Sequence, residues 1–375
     1  MTNKYRVAFI GCGGMSRNHM RGYLASGRYE ITALADLNEG IMKEVDAQFG
    51  LSTHHYQDAR EMLEKEKPDV VSVCTWHTGH APWTIAAAAY QPKAILCEKP
   101  MAESLGRAEE MLVACRRNNV KLAIAHQRRF LPAYTLARDL MAGGAIGQVE
   151  LIQSFGGQGL PNYCSHQTDM YRYLLGDDEC EWVMGNVERK TDRYERGTRI
   201  EDAAIGIFQF KSGARALVLA DVTPAIYQGA NIYGSEGMIN LSTDNLQLLN
   251  KDTNGRWELR EPDGKFFKVA EEGDRFEWNE GAAAQADELA DWIEGKVTHR
   301  GQAENGFKAL EMLMAVYESA RRHEKVILPL QTRLNPLDLM IESGHLEIER
   351  PGRYDIRSFL LRGEQMTSDD EGTGR

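Results

Sequence analysis

The chain of 375 residues has no uninterrupted apolar run near the roughly 18 residues that a membrane-crossing helix needs. Its first residues, Met1-Thr2-Asn3-Lys4-Tyr5-Arg6, lead straight into a strand-like segment at Val7. They lack the basic start, long apolar stretch and small-residue cleavage site of a secretory signal. A cytoplasmic protein with no membrane partner is therefore expected. Cysteine is sparse: Cys12, Cys74, Cys97, Cys115, Cys164 and Cys180 include no Cys-x-x-Cys pair. That spacing argues against a disulfide framework or a cysteine metal cluster. The histidines His54-His55, His77-x-x-His80, His126 and His166 form no familiar zinc frame either, so no metal is expected. A basic stripe is also missing. The formal net charge is −11, and the Arg128-Arg129 and Arg321-Arg322 pairs are isolated, which argues against a nucleic-acid partner. There is no internal repeat.

What is present is an alternation. Apolar strand segments at 5–10, 31–36, 69–75, 93–100 and 121–130 are separated by helical patterns, among them 39–49, 58–66, 80–90 and 104–119. Such alternation predicts an α/β domain with a parallel sheet. After about residue 148 the texture changes. Segments 148–157, 181–190, 201–213, 214–224 and 229–242 read as strands, with 246–251 and 256–262 as two more, in the manner of an antiparallel sheet with one solvated face. One helix, 166–176, intervenes. Helical patterns return at 283–297 and 303–323 and are expected to lean back on the first domain or on the sheet edge. The expected division is 1–130, a dinucleotide-binding domain; 131–332, a substrate and oligomerisation domain; and 333–375, an extension whose end, 364–375, reads as disordered.

Gly11-Cys12-Gly13-Gly14-Met15 stands between the first strand and a helix. Such glycines let a backbone approach a pyrophosphate at a helix N-terminus. The third glycine of the usual fingerprint is displaced, with Ser16 at position 16, and a simple glycine turn would read the same way. Asp36 ends the second strand, where a carboxylate meets ribose hydroxyls and repels a 2′-phosphate, so NAD is expected over NADP. Thr75-Trp76-His77 and Cys97-Glu98-Lys99-Pro100 end the third and fourth strands. Ligands bind at that carboxyl edge of a parallel sheet.

Lys99 there can stabilise a substrate oxygen as it becomes an alkoxide; a surface lysine at a strand exit is the plainer reading. His166 and Asp169 lie three apart at the start of a helix. A histidine suits proton removal from a hydroxyl near neutral pH, with Asp169 orienting the ring or binding a polyol. A capping histidine and a first-turn acid are the alternative. His166 is expected to face Lys99 across a cleft. Arg128 is placed at substrate or as a brace of the domain junction. Trp182, Tyr194, Tyr227 and Tyr233 line an interface or a sugar face, or serve as core.

The stretches GCGGMSRNH at 11–19, Thr75 with His80, CEKP at 97–100, RRFLP at 128–132, Ile146-Gly147 and HQTD at 166–169 resemble the glucose-fructose oxidoreductase, inositol dehydrogenase and rhizopine-catabolism family. The resemblance runs over about residues 5–330. It implies an N-terminal Rossmann domain and a C-terminal α/β domain with a large, mostly antiparallel open sheet used for dimer or tetramer contacts. It also implies Lys99 as catalytic lysine, His166 as the proton-transferring histidine, and Glu98 beside the nicotinamide. Two departures stand out. Asn162 occupies a position, four before the histidine, where family polyol dehydrogenases often carry aspartate. Trp76-His77 replace a frequent proline and asparagine. The candidates are then Gly11, Gly13, Gly14, Met15, Asp36, Thr75, Trp76, His80, Glu98 and Lys99 for NAD. For a sugar or polyol substrate they are Lys99, Arg128, Asn162, His166 and Asp169. The expected activity is NAD-dependent oxidation of a secondary hydroxyl. A glycosidase that retains NAD and oxidises C3 transiently, and a non-catalytic nucleotide-binding regulator, stand as alternatives.

Overall fold

The computed structural model describes residues 4–223, 229–262 and 276–357. They form two compact units, each assembled from separate stretches of chain. The first takes the described residues of Met1–Ala102, Arg107–Pro132 and Asp263–Phe307. The second takes Glu103–Gly106, Ala133–Pro262 and Lys308 onward.

In the first unit, β1 (Tyr5–Ile10) leads into α1 (Gly14–Ser26) and β2 (Tyr29–Ala35). Then follow α2 (Glu39–Phe49), β3 (His54–Tyr56), α3 (Ala59–Glu66), β4 (Val70–Val73), α4 (His77–Ala88), β5 (Ala94–Cys97), α5 (Leu105–Arg117) and β6 (Lys121–Ile124). The six strands are all parallel, in the order β3-β2-β1-β4-β5-β6. This is the doubly wound Rossmann order, with its switch point between β1 and β4. β4 and β5 are apolar but for Ser72 and buried along their whole length, as a sheet covered on both faces requires.

Some boundaries differ from expectation. The strand expected over 121–130 ends at Ile124, and Gln127–Phe130 coil into a 3-10 turn held by Arg129 N–H donating to His126 O (3.1 Å) and Leu131 N–H to Arg128 O (3.1 Å). The strand expected over 93–100 stops at Cys97, and α4 starts at His77 rather than 80. β3, three residues with no apolar run, has no counterpart in the sequence reading.

The main stretch of the second unit begins within α6 (Pro132–Ala142) and goes on through β7 (Val149–Gly156), a π-helical turn at Leu160–Cys164, and α7 (Ser165–Leu174). The strands β8 (Cys180–Glu188), β9 (Thr191–Glu195), β10 (Thr198–Arg199), β11 (Ala203–Phe210) and β12 (Arg215–Ala220) come next. The segment expected as one strand over 229–242 is a hairpin, β13 (Ala230–Gly234) and β14 (Gly237–Leu241), because Gly234 pairs with Gly237 across a two-residue turn. β15 (Leu246–Asn250) and β16 (Glu258–Arg260) complete that run. Helix α8 (Phe276–Ile293) belongs to the first unit; α9 (Ala303–Arg322), β17 (Val326–Ile327), α10 (Pro336–Glu342) and β18 (Arg350–Asp355) follow it. Nine strands form one open sheet, β16-β15-β14-β13-β7-β12-β11-β8-β17, antiparallel throughout except for β7 with β12. A separate small sheet, β10-β9-β18, binds the C-terminal extension to its own chain, with β18 parallel to β9. The tail expected to be disordered, 364–375, and Tyr227 lie outside the described residues.

α8, distant in sequence, packs along α1 within the first unit. Ala286, Leu289 and Ala290 share a buried cluster with Met20, Tyr23 and Tyr29, and Tyr29 Oη donates to Ala286 O (2.6 Å).

Candidate active site

The carboxyl edge of the parallel sheet is built around Gly11. Its N–H donates to Ala35 O (2.8 Å), its φ is +88°, and a Cβ there would lie 2.7 Å from Cys74 O. Only glycine fits both the left-handed backbone and the crowding at the end of β4. At Gly13 and Gly14 the opposite holds: an added Cβ would meet no atom of the described residues within 4 Å, so none of them covers the start of α1. Gly13 caps α1 without any side-chain bond, and Trp76 does the same for α4; neither helix has an acid in its first turn. The neighbouring helices are finished differently. Asn38 and Asp58 accept backbone N–H groups at the starts of α2 and α3, where Glu39 and Glu61 stand in the first turn. Uncapped N–H groups and an unneutralised dipole suit an anion at α1.

Asp36 lies beside this loop. Its Oδ2 accepts from Cys12 N–H (2.9 Å) and its Oδ1 from Asn38 N–H (2.9 Å), which fixes the carboxylate's orientation. The loop has braces that the sequence reading missed. Ser16 Oγ donates to Gly13 O (2.6 Å), and Arg17 Nη1 donates to Cys12 O and Gly13 O (3.0 and 3.1 Å). Met15 is half-buried, and Trp76 and Leu37 are exposed.

Glu98 and Lys99 follow β5. Glu98 is buried, and its Oε1 lies 2.9 Å from His19 Nε2 while its Oε2 accepts from Lys99 N–H (3.1 Å). The other ring nitrogen of His19 lies 2.7 Å from Ser72 Oγ. Burial raises the Glu98 pKa, but the His19 bond and the charges of His19, Lys99 and His80 outweigh it and hold the carboxyl below its usual range. Thus the segment before Lys99 is anchored from α1 through β4. His80 ties the same edge together: Nδ1 lies 2.7 Å from Pro100 O and Nε2 lies 3.1 Å from Thr75 O. Burial lowers its pKa despite those carbonyls and Glu98. Both contacts are to carbonyl oxygens, so a neutral ring can donate to only one of them and a protonated ring to both. Lys99 is half-buried, and the Lys99–Pro100 peptide is cis. Arg128 is buried in the 3-10 turn after β6.

In the second unit, Asn162 sits in the π-helical turn and His166 and Asp169 on α7, all three buried. α7 is tied to the open sheet: Gln167 Nε2 donates to Phe155 O (3.0 Å) and Tyr171 Oη to Leu217 O (3.1 Å). The Tyr163 ring meets His166 edge-on at 6.4 Å. Leu160 N–H donates to Glu201 Oε1 (2.6 Å), whose other oxygen accepts from Tyr317 Oη. Burial pushes the Glu201 pKa up, although those bonds oppose it. Asn162 Nδ2 donates to Gln158 Oε1 (3.3 Å) and Glu195 Oε1 (3.4 Å). None of these second-unit supports was singled out from the sequence. Their signal is a polar or acidic side chain that proves to be buried, which shows only once burial is known.

Comparison with known proteins agrees with this architecture. Residues 5–126 match the model of an oxidoreductase family, NAD-binding Rossmann fold, and residues 153–328 match the C-terminal alpha/beta domain of the same family. The chain is 28% identical to D-apiose dehydrogenase of Paraburkholderia graminis, over 66% of this chain and 71% of that protein. It is 26% identical to myo-inositol 2-dehydrogenase of Thermotoga maritima, over 62% and 74%. In structure it resembles levoglucosan dehydrogenase in complex with NADH and levoglucosan, with a TM-score of 0.76, 22% identity, and coverage of 88% of this chain and all (100%) of that one.

Proposed function

The chain belongs to the glucose-fructose oxidoreductase, inositol dehydrogenase and rhizopine-catabolism family of oxidoreductases, and from that premise we propose that it oxidises a secondary hydroxyl of a sugar, sugar derivative or cyclic polyol with NAD. The observation that carries the cofactor reading is the uncapped, uncovered start of α1 next to the fixed Asp36 carboxylate. Gly11, Gly13, Gly14 and Met15 would hold the pyrophosphate, and Asp36 the adenosine ribose. Thr75, Trp76, His80, Glu98 and Lys99 would frame the nicotinamide end. When bound, NAD supplies the hydride acceptor.

The chain's own part is to move one proton and stabilise one oxygen. His166 accepts the hydroxyl proton, since imidazole titrates near neutral pH. Lys99 polarises the oxygen that loses it. Glu98, anchored by His19, orients the Lys99 backbone. Asp169, Asn162 and Arg128 bind the remaining hydroxyls. The names of the relatives, sugar and inositol dehydrogenases and an anhydro-sugar reductase, support a carbohydrate substrate.

The test is NADH formation over a panel of levoglucosan, myo-inositol, D-apiose, D-xylose and simple glycosides. A substrate should emerge, and Lys99→Ala or His166→Ala should lower kcat on it by roughly 10²–10⁴-fold, the usual range for losing such a group. NAD affinity should stay unchanged. Near-normal turnover by either variant removes that residue from the mechanism. Glycoside cleavage without NADH release would replace the dehydrogenase reading with the NAD-retaining glycosidase.

A further inference from the structure

The small sheet made by the C-terminal extension ends beside Asn162. Glu195, the last residue of β9, is fully buried. Its Oε1 accepts from Asn162 Nδ2 and lies 3.0 Å from Arg196 Nη1 and 3.9 Å from Arg357 Nε. Arg357, two residues past β18, also donates from Nη2 to Gln158 Oε1 (2.5 Å). So one guanidinium hydrogen-bonds one of the two oxygens that receive the Asn162 amide, Gln158 Oε1, and stands at ion-pair distance from the other, Glu195 Oε1. Asp355 fastens this end of β18 to the β9–β10 turn: it accepts from the N–H groups of Arg196 (3.1 Å), Gly197 (2.8 Å) and Arg357 (2.9 Å).

This arrangement explains the amide at position 162. Two acceptor oxygens face Nδ2, so the amide can sit only with its NH₂ toward them and its Oδ1 turned the other way. An aspartate there would replace the Nδ2 donor by an oxygen, set two carboxylates against each other, one of them fully buried, and make them share the guanidiniums of Arg196 and Arg357. The carboxylate resides on β9, and Asn162 is its neutral partner.

We propose that β18 is a specificity element of the substrate site, with Arg357 as a positioning residue. Through Glu195 and Gln158 it fixes the Asn162 amide, one helical turn before His166, so that Oδ1 accepts a hydrogen bond from a hydroxyl neighbouring the one oxidised. The inference rests on the reading of His166 as the proton acceptor.

The experiment uses the full chain and whichever panel member is turned over fastest. Arg357→Ala should raise KM about tenfold, the cost of one misplaced polar contact, with kcat and NAD affinity nearly unchanged. Asn162→Asp should be strongly impaired, and adding Glu195→Gln should recover at least about tenfold in kcat/KM, because the pair then carries one charge again. A KM within twofold for Arg357→Ala, or no recovery in the double variant, overturns the proposal. Hydrogen exchange supplies a measurement without substrate: Arg357→Ala should speed exchange over residues 158–164 and not over 5–15, and equal protection there also overturns it. Full turnover by His166→Ala would sink the reading of the site, while the exchange result would still decide the role of Arg357.

Discussion

At the scale of single residues, Asp36 carries the sharpest consequence. Its oxygens are oriented by Cys12 and Asn38 N–H groups, so a 2′-phosphate in place of a ribose hydroxyl would meet a carboxylate that cannot swing away. We expect NAD to bind at least about tenfold tighter than NADP, because like charges at contact distance cost more than one hydrogen bond returns. Asp36→Ala should narrow the gap chiefly by strengthening NADP, with a smaller loss for NAD. Protein-fluorescence titration with both nucleotides measures it, and equal affinities in the unaltered protein would remove Asp36 from the ribose site. Asp36 was legible in the sequence because it ends a strand at a set distance from a glycine turn. His19 was not. Its partners Ser72 and Glu98 lie 53 and 79 positions away, and nothing local says that a histidine on the buried face of α1 is anchoring the segment before Lys99.

At the scale of elements, α1 and α8 cross closely at Gly22. In an isolated helix, alanine would be better than glycine by about 1 kcal/mol. Here an added Cβ would collide with the backbone carbonyl of Ala282 and crowd its side chain. Overpacking against backbone costs about 1–3 kcal/mol and outweighs the propensity gain. Gly22→Ala should therefore lower the thermal midpoint of the first unit by several degrees, at roughly 2–4 °C per kcal/mol for a unit of its size. A higher midpoint in calorimetry would mean that α8 does not press on α1 as described. Periodicity was enough to find both helices, and the βα alternation was enough for the parallel sheet. Where local patterns compete, the sequence was a poorer guide. Gln127–Phe130 follow a strand and contain an apolar end, yet their backbone bonds close within four residues. The 230–241 hairpin reads as one long strand because its two-residue turn is Ser235-Glu236 and carries no turn-type glycine of its own.

At the scale of the whole molecule, the first unit is interrupted: its doubly wound sheet is complete by Ile124, but part of its core arrives with α8. Met20, Tyr23 and Tyr29 are buried against Ala286, Leu289 and Ala290. Arg28 pairs with Asp291 (2.8 Å) and Glu294 (2.6 Å), Ser26 Oγ donates to Asp287, and Lys121 Nζ donates to Trp292 O. Fully burying a large apolar side chain contributes about 1.5–3 kcal/mol, and the net stability of a domain is only about 5–15 kcal/mol. Uncovering three such residues at once removes an amount comparable to the whole margin. A fragment of residues 1–132 should consequently retain helical far-ultraviolet circular dichroism yet lose its cooperative thermal transition and near-ultraviolet signal. Joining residues 276–307 to it through a flexible linker should restore both. If the shorter fragment melts cooperatively and binds NAD as tightly as the full chain, α8 is an ornament on a self-sufficient domain and the sequence order of the chain describes its folding units after all.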